Sequence, residues 1–155
     1  MTYRVIRLTE ADWRLFAVLR LRALADSLGV DDQHYRRESR FTAAQWRRRL
    51  RDHAQFTAAV DGRAVGLIGA QQQNAHTMYL YSLWVDPAAR GDGLAHRLIG
   101  AAVDWSRGRR VQTVKLRVAS DNAAARCVYE SLGFDVADAE SSSGAEELAM
   151  TLRVS

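Results

Sequence analysis

The sequence predicts a mixed α/β fold, and three observations predict it. Apolar residues alternate over short segments at residues 3–7 and again between 56 and 85. Segments between them carry apolar residues at three- and four-residue steps. From Thr77 to Val118 a strand, a glycine-bearing turn, a helix and another strand follow one another, a crossover unit whose two strands must run parallel. The whole succession reads βααβββαβαββ.

Residues 3–7 alternate as a short strand does, and Thr9 with Asp12 makes a capping-box pair that opens a helix. That helix extends to about Leu28, with Trp13, Ala17, Leu21, Leu24 and Leu28 as its apolar stripe. Thr42 and Gln45 repeat the capping pair ahead of a second helix, which sets Trp46 and Leu50 against an arginine-rich surface. Residues 56–60, Asp61-Gly62 and residues 64–73 read as a hairpin, because Asp-Gly takes the positive φ angles of a tight primed turn. A strand at 77–85 ends before Pro87, the only proline. Leu94, Leu98, Ala102 and Trp105 keep helical spacing through residues 91–106, and 111–118 form the next strand. Asp121 or Ser120 caps a helix over 122–132, with Gly133 at its left-handed end. Strands at 134–137 and 147–153 close the chain, flanking a loop that contains Ser141-Ser142-Ser143-Gly144.

The 155 residues, 48% hydrophobic and 26% charged, fit one domain over 1–155. No stretch approaches the roughly 18 apolar residues of a membrane helix, and the first residues lack the apolar run of a signal peptide, so a cytoplasmic protein without a membrane partner is expected. Cys127 is the sole cysteine, and His34, His53, His76 and His96 lack metal-ligand spacing, so no metal is expected. The formal charge is +4, carried almost wholly by arginine, since Lys115 is the only lysine. That balance admits a polyphosphate, an acidic substrate or nucleic acid without choosing among them.

The segment Leu83-Trp84-Val85-Asp86-Pro87-Ala88-Ala89-Arg90-Gly91-Asp92-Gly93-Leu94-Ala95-His96 holds the chemistry. A strand ends, two glycines let the backbone approach a ligand, and the free N–H groups of a helix start favour an anion. It is not a nucleotide P-loop, because no Gly-Lys-Ser/Thr follows, and His96 stands where a dinucleotide fingerprint needs its third glycine.

Arg90 to Ala95 matches the Arg/Gln-x-x-Gly-x-Gly/Ala signature, behind the Leu-x-Val-x-Pro of residues 83–87. Downstream, Asn122-x-x-Ala125-x-x-x-Tyr129-Glu130-x-x-Gly133-Phe134 follows one strand later. Together these motifs resemble the GNAT superfamily of acyl-coenzyme A-dependent N-acetyltransferases, and the element order resembles it along nearly the whole chain. The resemblance implies a mostly antiparallel central sheet whose one parallel pair, 77–85 and 111–118, splays apart after a bulge to admit the pantetheine arm. It implies acetyl transfer from acetyl-CoA to a primary amine of a small molecule, peptide or protein, by direct attack in a ternary complex. Family habit also allows a homodimer.

The same resemblance gives Leu83, Trp84 and Val85 to the pantetheine, with an N–H near Trp84 or Val85 as oxyanion donor. It gives the amides of Arg90, Gly91, Asp92, Gly93, Leu94, Ala95 and His96 to the pyrophosphate, with the Asp92 carboxylate turned outward. Arg90 either adds a charge-assisted contact or is a solvent-facing turn residue. Asn122 either positions pantetheine or caps its helix. Ala125 leaves room for the cofactor, and Tyr129, at i+7 from Asn122 and so on the same helix face, either is the catalytic residue that donates a hydrogen bond or proton to the departing thiolate or packs in the core. No carboxylate stands in residues 78–82, where many relatives carry a glutamate base; an ordered water or Glu38 is the substitute. Tyr79 and Tyr81 share a strand face and either line the acceptor pocket or pack in the core. The acceptor is otherwise chosen by residues 28–41, 74–81 and 141–146. Cys127 is not a nucleophile, because it sits within a helix without a histidine signature. Two other readings compete: a non-catalytic acyl-CoA sensor, and a nucleic-acid module built on Arg47-Arg48-Arg49, Arg51, Arg107, Arg109 and Arg110, which the absence of any matching nucleic-acid fold and the interspersed acids Asp52 and Asp104 weigh against.

Overall fold

Strands β1 (Tyr3–Leu8), β2 (Ala54–Val60), β3 (Arg63–Gln72), β4 (Thr77–Val85), β5 (Thr113–Ala119), β6 (Asp135–Val136) and β7 (Glu147–Arg153) form one sheet in the order β1-β2-β3-β4-β5-β7-β6. The computed structural model describes residues 3–137 and 147–155, so the 141–146 loop lies outside the described residues. All pairings are antiparallel except β4 with β5, the crossover pair. Asp61 and Gly62 turn between β2 and β3 at φ of 51° and 81°, the conformation the primed turn requires.

Helices α1 (Trp13–Ser27), α2 (Gln33–Glu38) and α3 (Ala43–Asp52) link β1 to β2, while α4 (Leu94–Arg107) and α5 (Ala123–Ser131) flank β5 in the chain. Both capping pairs are present: the Thr9 N–H donates to Asp12 at 2.8 Å, and Thr42 and Gln45 bond reciprocally at 2.8 and 3.2 Å. Two differences from the expected succession have physical causes. A third helix, α2, precedes the Thr42 cap; it is short and polar, and is started by Asp32, whose carboxylate accepts from the His34 N–H at 2.7 Å. The buried face of α1 is Phe16, Leu19, Ala23 and Leu24, whereas Leu28 is exposed. Apolar residues surround α1 on nearly every side, with Leu15 and Val18 in solvent, so spacing alone does not select its inner face.

Two apolar layers sandwich the sheet. On one side Phe16, Leu19, Trp46 and Leu50 pack on Leu67 and Trp84; on the other Leu94, Leu98, Ile99 and Tyr129 pack on Ile68, Leu80 and Val114. No helix is long and apolar enough to cross a membrane among the described residues.

Candidate functional site

The site begins where a strand pair comes apart. The β4–β5 ladder holds only three register pairs, Thr77 with Thr113, Met78 with Val114 and Tyr79 with Lys115. Beyond Tyr79 the strands diverge, and β4 is deformed on its other edge as well. Leu67 of β3 pairs with Trp84 and Gly69 with Tyr81, so Ile68 alone faces both Ser82 and Leu83. That is a bulge of two residues against one, which bends the strand and increases its twist. Ser82 sits within it at φ 55°, a left-handed conformation that a serine adopts only when its surroundings hold it.

The surroundings are a polar strut. Arg20 of α1 donates through Nη1 to Ser82 Oγ at 2.8 Å and through Nε and Nη2 to the two carboxylate oxygens of Glu38 at 2.9 and 3.2 Å. Arg49 of α3 approaches Glu38 Oε1 at 3.5 Å. Glu38 is 1% exposed, so this is a buried charge compensated by two guanidinium groups. Both oxygens of Glu38, the residue expected as a substitute general base, are held by Arg20, and the structure does not bring its side chain to the lining of the cleft between β4 and β5.

Between the diverging strands lies a cleft of about 260 Å³, walled by Leu80, Tyr81, Ser82 and Leu83 from β4, by Leu116 to Ala119 from β5, and by Asn122, Ala125 and Tyr129. Tyr129 is buried beneath it, edge-on to Phe134, and burial alone pushes its phenol above the ordinary tyrosine range. It therefore remains a proton donor at neutral pH. Asn122 caps α5 by accepting from the Ala125 N–H at 3.1 Å, and its side chain also borders the cleft. Cys127 is exposed on α5 and absent from the wall.

A second hollow, of about 560 Å³, continues past the bulge; Leu83, Trp84, Val85, Arg90, Gly91, Gly93, Leu94, Ala95 and His96 all line it. Gly91 and Gly93 take φ of 93° and 78°, and a Cβ on either would meet only open space. Gly93 caps α4 without a side-chain acceptor, and the first helical bond to reach it comes from the Arg97 N–H at 3.2 Å. The first amides of α4 are thus without a side-chain cap at Gly93, and the start of a helix is a place that favours an anion. Asp92 is exposed and borders a different hollow with Asp61 and Arg63.

Arg90 lines the second hollow and is also bonded within the protein. Its Nε donates to the Val85 carbonyl at 2.9 Å and its Nη2 to Asp26 at 2.8 Å, while Asp26 also accepts from the Trp84 indole at 2.9 Å. Arg90 thus braces the turn, and Asp26 ties α1 to both Trp84 and Arg90. Asp86 likewise pairs with Arg22. Tyr79 and Tyr81 stack at 6.2 Å on the opposite face from α5, and Tyr81 reaches His53 and Gln55, neither of which the motifs indicate. The signal for His53 is spatial only, since it ends α3 next to a strand that pairs far along the chain.

The arginine-rich surface is largely engaged. Arg47 lies over Trp13, Arg109 over Trp105, Arg51 pairs with Glu10 and Arg107 with Asp104.

The same architecture occurs in solved acetyltransferases. One from Streptococcus pneumoniae, described as of the GNAT family, superposes with a TM-score of 0.78 at 15% identity, covering 99% of this chain and 100% of that one. The PaiA N-acetyltransferase of Thermoplasma acidophilum, crystallised in complex with coenzyme A, gives 0.75 at 15% identity over 99% of both chains. In sequence, a mycothiol acetyltransferase of Beutenbergia cavernae is 40% identical over 74 residues, 48% of this chain and 25% of that protein, so the chain spans about a quarter of that relative's length. Residues 17–134 match the model of the acetyltransferase (GNAT) family, and the chain belongs to that family.

The parted strands and the glycine turn fit a thioester of coenzyme A. The amides of residues 91–96 would receive its diphosphate, and the walls of Leu83, Trp84 and Val85 its pantetheine. Gly93→Ala is expected to cost about 1–2 kcal/mol for placing a Cβ at positive φ, without any clash, and to weaken coenzyme A binding severalfold. Urea unfolding and calorimetric titration check the two effects separately.

Proposed function

We propose that this protein moves an acetyl group from acetyl-CoA to a primary amine by direct attack within a ternary complex. The observation that carries the reading is the parting of β4 and β5 after Tyr79, which opens a cleft with a buried phenol at its floor and an anion-binding turn at its end. Acetyl-CoA supplies the activated thioester carbonyl. Leu83, Trp84 and Val85 orient the arm, and a backbone N–H of the Trp84–Val85 stretch stabilises the developing oxyanion. Tyr129 donates a hydrogen bond to the sulfur as it leaves. The reference pKa values, about 10 for tyrosine and about 8.5 for a thiol, make complete proton transfer uphill, and burial makes it more so. The phenol therefore acts chiefly by stabilising the thiolate.

The experiment is calorimetry with acetyl-CoA together with thiol release across a broad panel of amines. Binding together with amine-dependent thiol release is the expected result. Binding without release for any amine would favour an acyl-CoA sensor, and no binding by folded protein would overturn the reading.

A further inference from the structure

Helix α2 borders two further hollows with two different faces. On one face Glu38 is held by Arg20 and Arg49, and His34, one turn earlier, lines a hollow of about 300 Å³ together with Arg20. This hollow shares Ser82 and Leu83 with the cleft, and Leu83 and Trp84 with the hollow at the glycine turn. It therefore opens on the β4 bulge. The other face of α2 carries Gln33, Arg36 and Arg37, at i, i+3 and i+4. With Arg40, Phe41 and Gln45 these residues line a wider hollow of about 530 Å³.

The wider hollow is lined by three cations and no acid. Among the described residues no carboxylate pairs with Arg36, Arg37 or Arg40, whereas Arg22, Arg51 and Arg90 each have an acidic partner. The acids of α2 and its cap are already engaged, Glu38 by Arg20 and Arg49, and Asp32 by the His34 N–H. Gln45 Oε1 accepts from the Thr42 N–H at 2.8 Å, which leaves its amide nitrogen to donate. Phe41 adds an apolar wall, set edge-on to Trp46. Three guanidinium groups left together repel one another. Carboxylates laid among them relieve that repulsion through forked, charge-assisted hydrogen bonds.

Resting on the acetyl-transfer reading, we infer that the acceptor is the α-amine of an acidic peptide, whose first residue enters the hollow at Ser82 and Leu83 and whose carboxylates lie on Arg36, Arg37 and Arg40. A ligand that touches both hollows must pass around a helix about 10 Å across, and an extended chain covers that in about three residues. The acids are therefore wanted from about the fourth residue onward. The arginines stand at three separate positions, which suits carboxylates spaced along a chain. A small amine would occupy the 300 Å³ hollow alone and leave all three cations uncompensated. These arginines bind and select the acceptor, and take no part in the acyl transfer itself.

The test uses two short peptides with free α-amines, one carrying three consecutive glutamates from about its fourth position and the other glutamines in their place. Wild-type kcat/KM for thiol release should favour the glutamate peptide by about tenfold or more at low salt, and the ratio should shrink as salt screens the charges. In the triple variant Arg36→Gln, Arg37→Gln, Arg40→Gln the ratio should fall to about one. Separately, the glutamate peptide with its amine blocked is titrated by calorimetry into protein saturated with coenzyme A, so that the cofactor's own anion site is filled. It should bind the wild type and not the triple variant. Equal rates for the two peptides in the wild type, or a preference that survives in the variant, overturn the acidic acceptor while acetyl transfer stands. Blocked peptide that binds the wild type and the variant alike overturns the arginine site. Arginine-dependent binding of the blocked peptide, with no thiol release from any amine, upholds the site and overturns the transfer reading.

Discussion

Tyr129→Phe is expected to lower kcat by about a hundredfold to a thousandfold while leaving acetyl-CoA affinity within a factor of about two. The phenol is buried, so the phenylalanine ring keeps the packing on Phe134 and the cleft floor. What disappears is the hydroxyl that, in the proposed reaction, donates to the departing sulfur. Its contribution is largest in the transition state, where charge on sulfur develops, and small in the ground state, where the thioester sulfur is a poor acceptor. The loss therefore belongs in kcat rather than in binding. Single-turnover thiol release and calorimetry of the same variant measure the two separately. Unchanged turnover with a verified amine removes Tyr129 from the chemistry.

Glu38→Gln should have the largest effect on stability, about 3 kcal/mol or more by urea unfolding. Glu38 is 1% exposed and Arg20 12%, so the substitution leaves two guanidinium groups facing a neutral amide in a partly desolvated place. Because Arg20 also bonds Ser82, the loss should propagate to the β4 bulge, and acetyl-CoA binding should weaken in the fraction that remains folded. A general base would behave differently: the neutral amide would abolish turnover with stability and cofactor affinity intact. Full stability in Glu38→Gln would show that the ion pairs do not support the bulge.

The parts of the molecule legible in the sequence are those written in neighbouring residues. The Asp61-Gly62 turn, the Thr42–Gln45 box and the glycine turn before α4 all declare themselves over four or five positions, and each takes the expected form, whereas α5 is capped by Asn122 and not by Asp121 or Ser120. The parting of β4 and β5 was legible through family resemblance, as the motifs carry it. Less legible were features that depend on distant partners. Asp26 serves Trp84 from 58 positions away, and Arg20 serves Ser82 from 62. His53 meets Tyr81 across 28 positions, and nothing local marks either as a pair. Glu38 reads as a surface charge among arginines until α1 and α3 close over it. The inner face of α1 was ambiguous for the opposite reason, since too many positions there are apolar for spacing to distinguish one side.

The three-rung ladder between β4 and β5 also divides the molecule mechanically. On one side stand β1 to β4; on the other stand β5, β7 and β6, and beyond those rungs the two half-sheets are joined chiefly through the α4 and α5 layer. A molecule spanning both banks of the gap would act as a splint, so that resistance to unfolding in each half becomes shared when the gap is filled and partly separate when it is not.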